Sequence, residues 1–166
     1  ESARRVDVTR NPRVVPAVFL KSSDGGDVEL VSGAPHPTLV EFIYTSCPAI
    51  CIALGEDFYR LQEKIARDPR FSGVRLLSIS FDLERDTPAQ LAEYAKAHGA
   101  STPAWRIVRP RSVVDMRQLL DAFGIVVKDD GADGFVHNAA IHLIDGRGRL
   151  VKIGDIGQGE RLLSED

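Results

Sequence analysis

Cys47 and Cys51 are the two cysteines of the chain, four positions apart and directly after the run Thr38-Leu39-Val40-Glu41-Phe42-Ile43-Tyr44. A thiol becomes a strong nucleophile or metal ligand only when it ionises, so the surroundings of this pair decide its chemistry. Pro48 suits a first helical position, because its missing N–H costs nothing there. Cys47 is then expected at or just before a helix N-terminus, where unpaired N–H groups and the positive end of the helix dipole favour its thiolate. From Cys51 onward Leu54, Phe58, Leu61 and Ile65 recur at steps of three and four, the apolar stripe of a helix packed on a sheet. Four residues apart on a regular helix, the two Cβ atoms would be about 5–6 Å apart. A disulfide needs about 3.5–4.5 Å. A metal ion can bridge the wider gap, whereas a disulfide requires distortion at the turn.

The chain has four histidines that could supply a further ligand. His36 lies in a proline-flanked loop and His98 in the last turn of a predicted helix, where an imidazolium suits the dipole. Both are expected to be structural or solvated. His137 and His142 fall on one expected strand. Their odd separation places them on opposite faces, so only one of them can join a given site.

The elements that must position these residues follow from periodicity. Short strands at Val14–Leu20 and Val28–Leu30, around the turn Asp24-Gly25-Gly26-Asp27, predict an N-terminal hairpin. A central strand over Leu39–Tyr44, the cysteine helix to about Arg67 and a strand over Val74–Phe81 form a β-α-β unit with parallel strands. Thr87 as N-cap, Pro88, Gln90 and Gly99 bracket a second helix, with Leu91, Tyr94 and Ala95 facing inward. A strand near Trp105–Val108, a helix over Val113–Phe123 closed by Gly124, a strand over Val136–Ile144 and a final strand over Leu150–Ile153 complete the pattern. The fold class is α/β, a thioredoxin-like sandwich with a central mixed sheet flanked by helices and a hairpin at each end. One domain over residues 1–166 is expected, with residues 1–17 as a loosely ordered arm.

With 166 residues and 43% hydrophobic content, the chain can build a proper core. A net charge of -3, with Lys and Arg scattered, gives no support for nucleic-acid or anionic-membrane binding. No apolar run reaches the roughly 20 residues needed to span a bilayer. A start at Glu1 fits a processed form from which a leader or anchor has been removed. A monomer is expected.

The runs Phe42-Ile43-Tyr44-Thr45-Ser46-Cys47-Pro48-Ala49-Ile50-Cys51, Ser78-Ile79-Ser80-Phe81-Asp82 leading into Glu84-Arg85-Asp86-Thr87-Pro88, and Phe135-Val136-His137-Asn138 together resemble the Sco/SenC copper proteins. The resemblance spans roughly Val18 to Asp155. It implies Cys47, Cys51 and His137 as ligands of Cu(I) or Cu(II). It also implies a membrane-tethered protein on the periplasmic side that helps assemble the dinuclear copper site of cytochrome c oxidase. The partners would be the oxidase subunit or another copper chaperone. Two thiolates and an imidazole form a soft, low-coordinate set suited to this metal. A glycine-containing loop before His137 would let its imidazole move. Ala49 and Ile52 depart from the family pattern, which commonly has an acid and a proline there. Asp82 matches a family acid that either orients a ligand or caps the following turn.

The competing reading is a thiol-disulfide oxidoreductase, in which Cys47 attacks a partner disulfide and Cys51 resolves the mixed species. In a thiol peroxidase, Cys51 would instead resolve a Cys47 sulfenic acid. Against both stands the C-x-x-x-C spacing, where oxidoreductases usually show C-x-x-C. Zinc is a weaker alternative, since a structural zinc site needs a fourth ligand that is not evident.

Overall fold

A computed structural model describes residues 6–7, 12–47, 50–129, 135–137 and 139–164. The side chains of residues 6, 7, 50, 51 and 135–137 lie outside that description. In chain order the elements are β1 (Val6–Asp7), β2 (Arg13–Val14), β3 (Phe19–Ser22), β4 (Asp27–Glu29), β5 (Thr38–Ile43), α1 (Ile50–Arg67), β6 (Arg75–Ser80), α2 (Pro88–His98) and β7 (Trp105–Pro110). They continue with α3 (Val113–Phe123), β8 (Val127–Asp129), β9 (Phe135–His137), β10 (Ile141–Ile144), β11 (Arg149–Gly154) and α4 (Gly159–Ser164).

β5 is buried along its whole length, as expected of a strand covered on both faces. It pairs in parallel with β6, which pairs in parallel with β7. On the other side β5 pairs antiparallel with β10, and the sheet runs in the order β1-β11-β10-β5-β6-β7-β3-β4. This is the expected mixed sheet, with the β3–β4 hairpin at one edge and the β10–β11 hairpin toward the other. Within the expected arm, Val6–Asp7 and Arg13–Val14 are paired with β11.

Alternation along β5 sends Phe42 to one face, where its ring lies 5.2 Å from Phe123 of α3. Glu41 goes to the opposite face, which carries Trp105 with its ring 6.0 Å from Phe58 of α1. The α1 stripe buries Leu54, Phe58 and Leu61, with Ile65 packed at its margin. Thr87 caps α2 by accepting from the Gln90 N–H, and Gly99 ends it in the left-handed conformation at φ 74°.

Three expectations need correction. The strand predicted over Val14–Leu20 is two strands, β2 pairing with β11 and β3 with β4 and β7, and the chain between them is not strand. The strand predicted over Val136–Ile144 is two strands, β9 and β10, belonging to different sheets, so the odd spacing of His137 and His142 has no bearing on their relative facing. β9 pairs with β8, whose Lys128 and Asp129 are polar and exposed and carry no apolar alternation to mark a strand. The terminal helix α4 was not anticipated. It is a short segment that buries Gly159 and Leu162, and six residues give too little periodicity to read.

Candidate metal and thiol site

β5 delivers the chain into a turn in which the Cys47 N–H donates to the Tyr44 carbonyl at 3.1 Å. Tyr44 is buried, its ring 5.4 Å from Phe81 at the end of β6. Cys47 is half-buried against the rim of the core. It is not helical and precedes α1, consistent with its expected place at or just before the helix N-terminus, so the regular-helix spacing considered for the two sulfurs does not apply. Pro48, expected at the first helical position, and Ala49 lie outside the described residues. The backbone of Cys51 is in the first turn of α1, a turn free of acidic residues, so no carboxylate opposes the positive end of the dipole there. The Cys51 side chain lies outside the description.

The turn is held from a neighbouring loop. Asp86, fully buried, accepts from the Thr45 N–H at 3.0 Å, the Thr45 hydroxyl at 2.5 Å and the Ser80 hydroxyl at 2.5 Å. The Ser80 oxygen in turn accepts from the Asp82 N–H at 3.2 Å. Arg109 of β7 donates to the carbonyls of Asp86 at 3.0 Å and Leu83 at 3.3 Å. Sequence reasoning singled out Asp82 and passed over Asp86, because Asp86 precedes a strong helix start and looked like part of it. The available signal was an acid one residue before an N-cap that already had a hydroxyl of its own.

Asp82 is buried, and its Oδ1 accepts from the Arg85 N–H at 3.4 Å. Its Oδ2 lies 4.0 Å from the Arg85 Nε and has no hydrogen-bond partner among the described residues. Burial pushes its carboxyl above the ordinary range, with the nearby Asp86 charge acting the same way.

The histidines separate clearly. The backbone of His137 sits opposite Val127 in the β8–β9 ladder, and its side chain lies outside the description. His142 is only 1% exposed, its ring 5.1 Å from that of Phe123 and 5.9 Å from that of Phe42, and burial pushes it down to about 3. His98 stacks on Tyr94 at 4.1 Å. Burial holds its pKa below the ordinary value, so the expected cation at the end of α2 is disfavoured. His36 is exposed in its loop.

Beside the turn, a cleft of about 280 Å³ is lined by Thr45, Ser46, Tyr94 and His98 among others. It adjoins a second of about 430 Å³, where Ile52 and Tyr59 are exposed. Among the described residues no three His, Cys, Asp or Glu side chains converge on a point that could hold a metal ion, and no helix is long and apolar enough to cross a membrane. The side chains of Cys51 and His137, two of the three expected donors, lie outside the described residues.

The SCO1/SenC family model matches residues 8–166. The SCO1 protein homolog of Bacillus subtilis (strain 168) is 31% identical over 144 residues, covering 86% of this chain and 73% of the relative. Among solved structures, BsSco is described as a member of the Sco family of cytochrome c oxidase assembly proteins in which a disulfide switch was identified. It superposes with a TM-score of 0.78 at 25% identity, covering 93% of this chain and 91% of its own. Two more distant structures share the fold. A SCO1/SenC family lipoprotein from Bacillus anthracis str. Ames has a TM-score of 0.81 at 19% identity, covering 93% and 94% of the two chains. Bradyrhizobium japonicum ScoI with copper bound has a TM-score of 0.73 at 24% identity, covering 90% and 97%.

Proposed function

Because the chain belongs to the SCO1/SenC family, we propose that it binds copper through Cys47, Cys51 and His137 and helps load the dinuclear copper site of cytochrome c oxidase. The observation that carries this reading is the placement of the cysteine pair. Cys47 is half-buried in a hydrogen-bonded turn at the end of a fully buried central strand, and Cys51 is in the first turn of the following helix. Two thiolates and one imidazole are soft donors suited to Cu(I) and able to hold Cu(II). Copper here is cargo, and a set of three protein ligands leaves room for an incoming ligand from a partner. Relatives with bound copper, a disulfide switch and a lipoprotein form support a membrane-tethered copper carrier, and the periplasmic side is part of the proposal.

The test is an anaerobic titration of the fully reduced protein with Cu(I) and then Cu(II), comparing wild type with Cys47→Ala and His137→Ala. One equivalent bound, with sulfur-to-copper charge-transfer absorption for Cu(II), and loss of binding in both variants is the expected result. Binding unchanged without His137 would remove that ligand, and no stoichiometric binding would remove the copper reading. The disulfide switch of BsSco favours a second reading, thiol–disulfide exchange with a partner. The Cys47 thiolate attacks the partner disulfide and expels one partner thiolate. Cys51 then displaces the second, leaving a Cys47–Cys51 disulfide and a reduced partner. This chemistry does not need His137.

A further inference from the structure

We propose that Asp86 is the positioning residue of the cysteine turn, holding Cys47 in its half-buried place by binding Thr45 and Ser80 at once. The inference rests on the reading of Cys47 as the working sulfur of the site. Asp86 lies 39 positions beyond Cys47 in sequence, yet it receives both hydrogen-bond donors of Thr45, two residues before that cysteine. Its two carboxyl oxygens take three donors, the Thr45 N–H, the Thr45 hydroxyl and the Ser80 hydroxyl, so both oxygens of the buried group are satisfied by this turn and by β6. The acid is itself fixed. Ser80 is the last residue of β6, the strand beside β5, and the Asp86 carbonyl is held by Arg109 from β7. The turn is therefore tied to the ends of three adjacent strands rather than to its own backbone alone. A site that must present a sulfur to a metal or to a partner disulfide gains from this rigidity, because ligand geometry then does not have to be assembled at the moment of binding.

The experiment uses a Cys51→Ser background, so that Cys47 is the sole thiol, and measures its alkylation rate by iodoacetamide at fixed pH. Releasing the turn exposes the sulfur, so Asp86→Asn and Thr45→Val are each expected to raise the rate at least twofold. Thr45→Ser, which keeps the hydroxyl, is expected to match wild type. Asp145→Asn serves as the control. Its side chain organises the β10–β11 turn at the other end of β5, so it lowers stability without touching the cysteine turn. Thr45→Val carries the test if Asp86→Asn does not fold. A rate within twofold of the Cys51→Ser parent in Thr45→Val, or an equal rise in Asp145→Asn, overturns the proposal. The rate is read without copper, so a wild-type protein that fails to bind copper counts against the proposed function and not against the role of Asp86.

Discussion

Glu41 accepts a hydrogen bond from the Ser78 hydroxyl at 2.5 Å through one carboxyl oxygen, while the other has no partner among the described residues. The single O–H of Ser78 is spent on that oxygen and cannot serve the second, while the hydroxyl oxygen also accepts from the Trp105 indole at 2.9 Å. The carboxyl is completely buried on the central strand.

Burial, with Asp57 of α1 adding like charge, pushes Glu41 from 4.5 up to about 8, against the lowering effect of Ser78. Between those values the native state binds more protons than the unfolded chain, so stability falls as pH rises through the window. Removing a shift of this size is worth on the order of a few kcal/mol at the alkaline end. Glu41→Gln is expected to match wild type below pH 4.5 and to be clearly more stable above pH 8. Denaturant unfolding across that range checks it, and parallel curves for the two proteins would contradict it.

His142 shows the opposite sign. Burial between aromatic rings, with Arg13 contributing, lowers it from 6.5 to about 3, and neither ring nitrogen has a partner among the described residues. The unfolded chain binds the extra proton in that window, so stability falls as pH drops through it. His142→Leu is expected to hold or raise stability at pH 7 by up to about 1–2 kcal/mol. It should also reduce the acid sensitivity between pH 6.5 and 3 and leave copper binding unchanged. Thermal unfolding at several pH values, with a copper titration beside it, gives the answer.

Gly55 lies on α1 where a Cβ would come within 2.3 Å of the His98 Nδ1. The imidazole is stacked on Tyr94, so making room for the methyl costs that ring contact. Gly55→Ala is therefore expected to cost about 1–3 kcal/mol despite better helix propensity. Combining it with His98→Ala should recover more than half of that loss. A double-mutant cycle with no coupling would show that α1 and α2 are not in close contact here.

Much of this architecture was legible because it follows from repeating patterns. The Leu54, Phe58, Leu61 stripe reported α1, the Thr87, Pro88 and Gly99 punctuation reported α2, and both survive in three dimensions. What was not legible depends on contacts between distant residues. Nothing local to Asp86 points to Thr45, and nothing in Thr38–Ile43 says that Glu41 stays inside while its neighbours provide the apolar burial. The break between β9 and β10 was hidden for the same reason. An apolar run reads as one strand until its partners are known, and here Val127–Asp129 and Thr38–Val40 each claim a different part of it.

Asp82 and Asp86, four residues apart and both buried, are expected to answer differently to the same substitution. Among the described residues, the side-chain contacts of Asp82 stay within its own loop, the Arg85 N–H on one oxygen and a 4.0 Å approach to the Arg85 side chain on the other. Asp82→Asn keeps the acceptor and removes a charge that burial disfavours, so stability at pH 7 should be unchanged or slightly higher. Because burial raises this carboxyl above its ordinary 3.8, the charge costs stability as pH rises past that value, and the substitution should flatten the profile just above it. Asp82→Ala leaves the Arg85 N–H without its acceptor and should lose about 1 kcal/mol. If Asp82 instead orients a copper ligand, Asp82→Asn would weaken copper binding by roughly 10–100-fold with no loss of stability. The contacts of Asp82 among the described residues are those of the turn role, and on that role copper affinity in Asp82→Asn within about threefold of wild type is the expected result. A tenfold loss, measured by competition with a chelator, would move Asp82 from the turn to the metal.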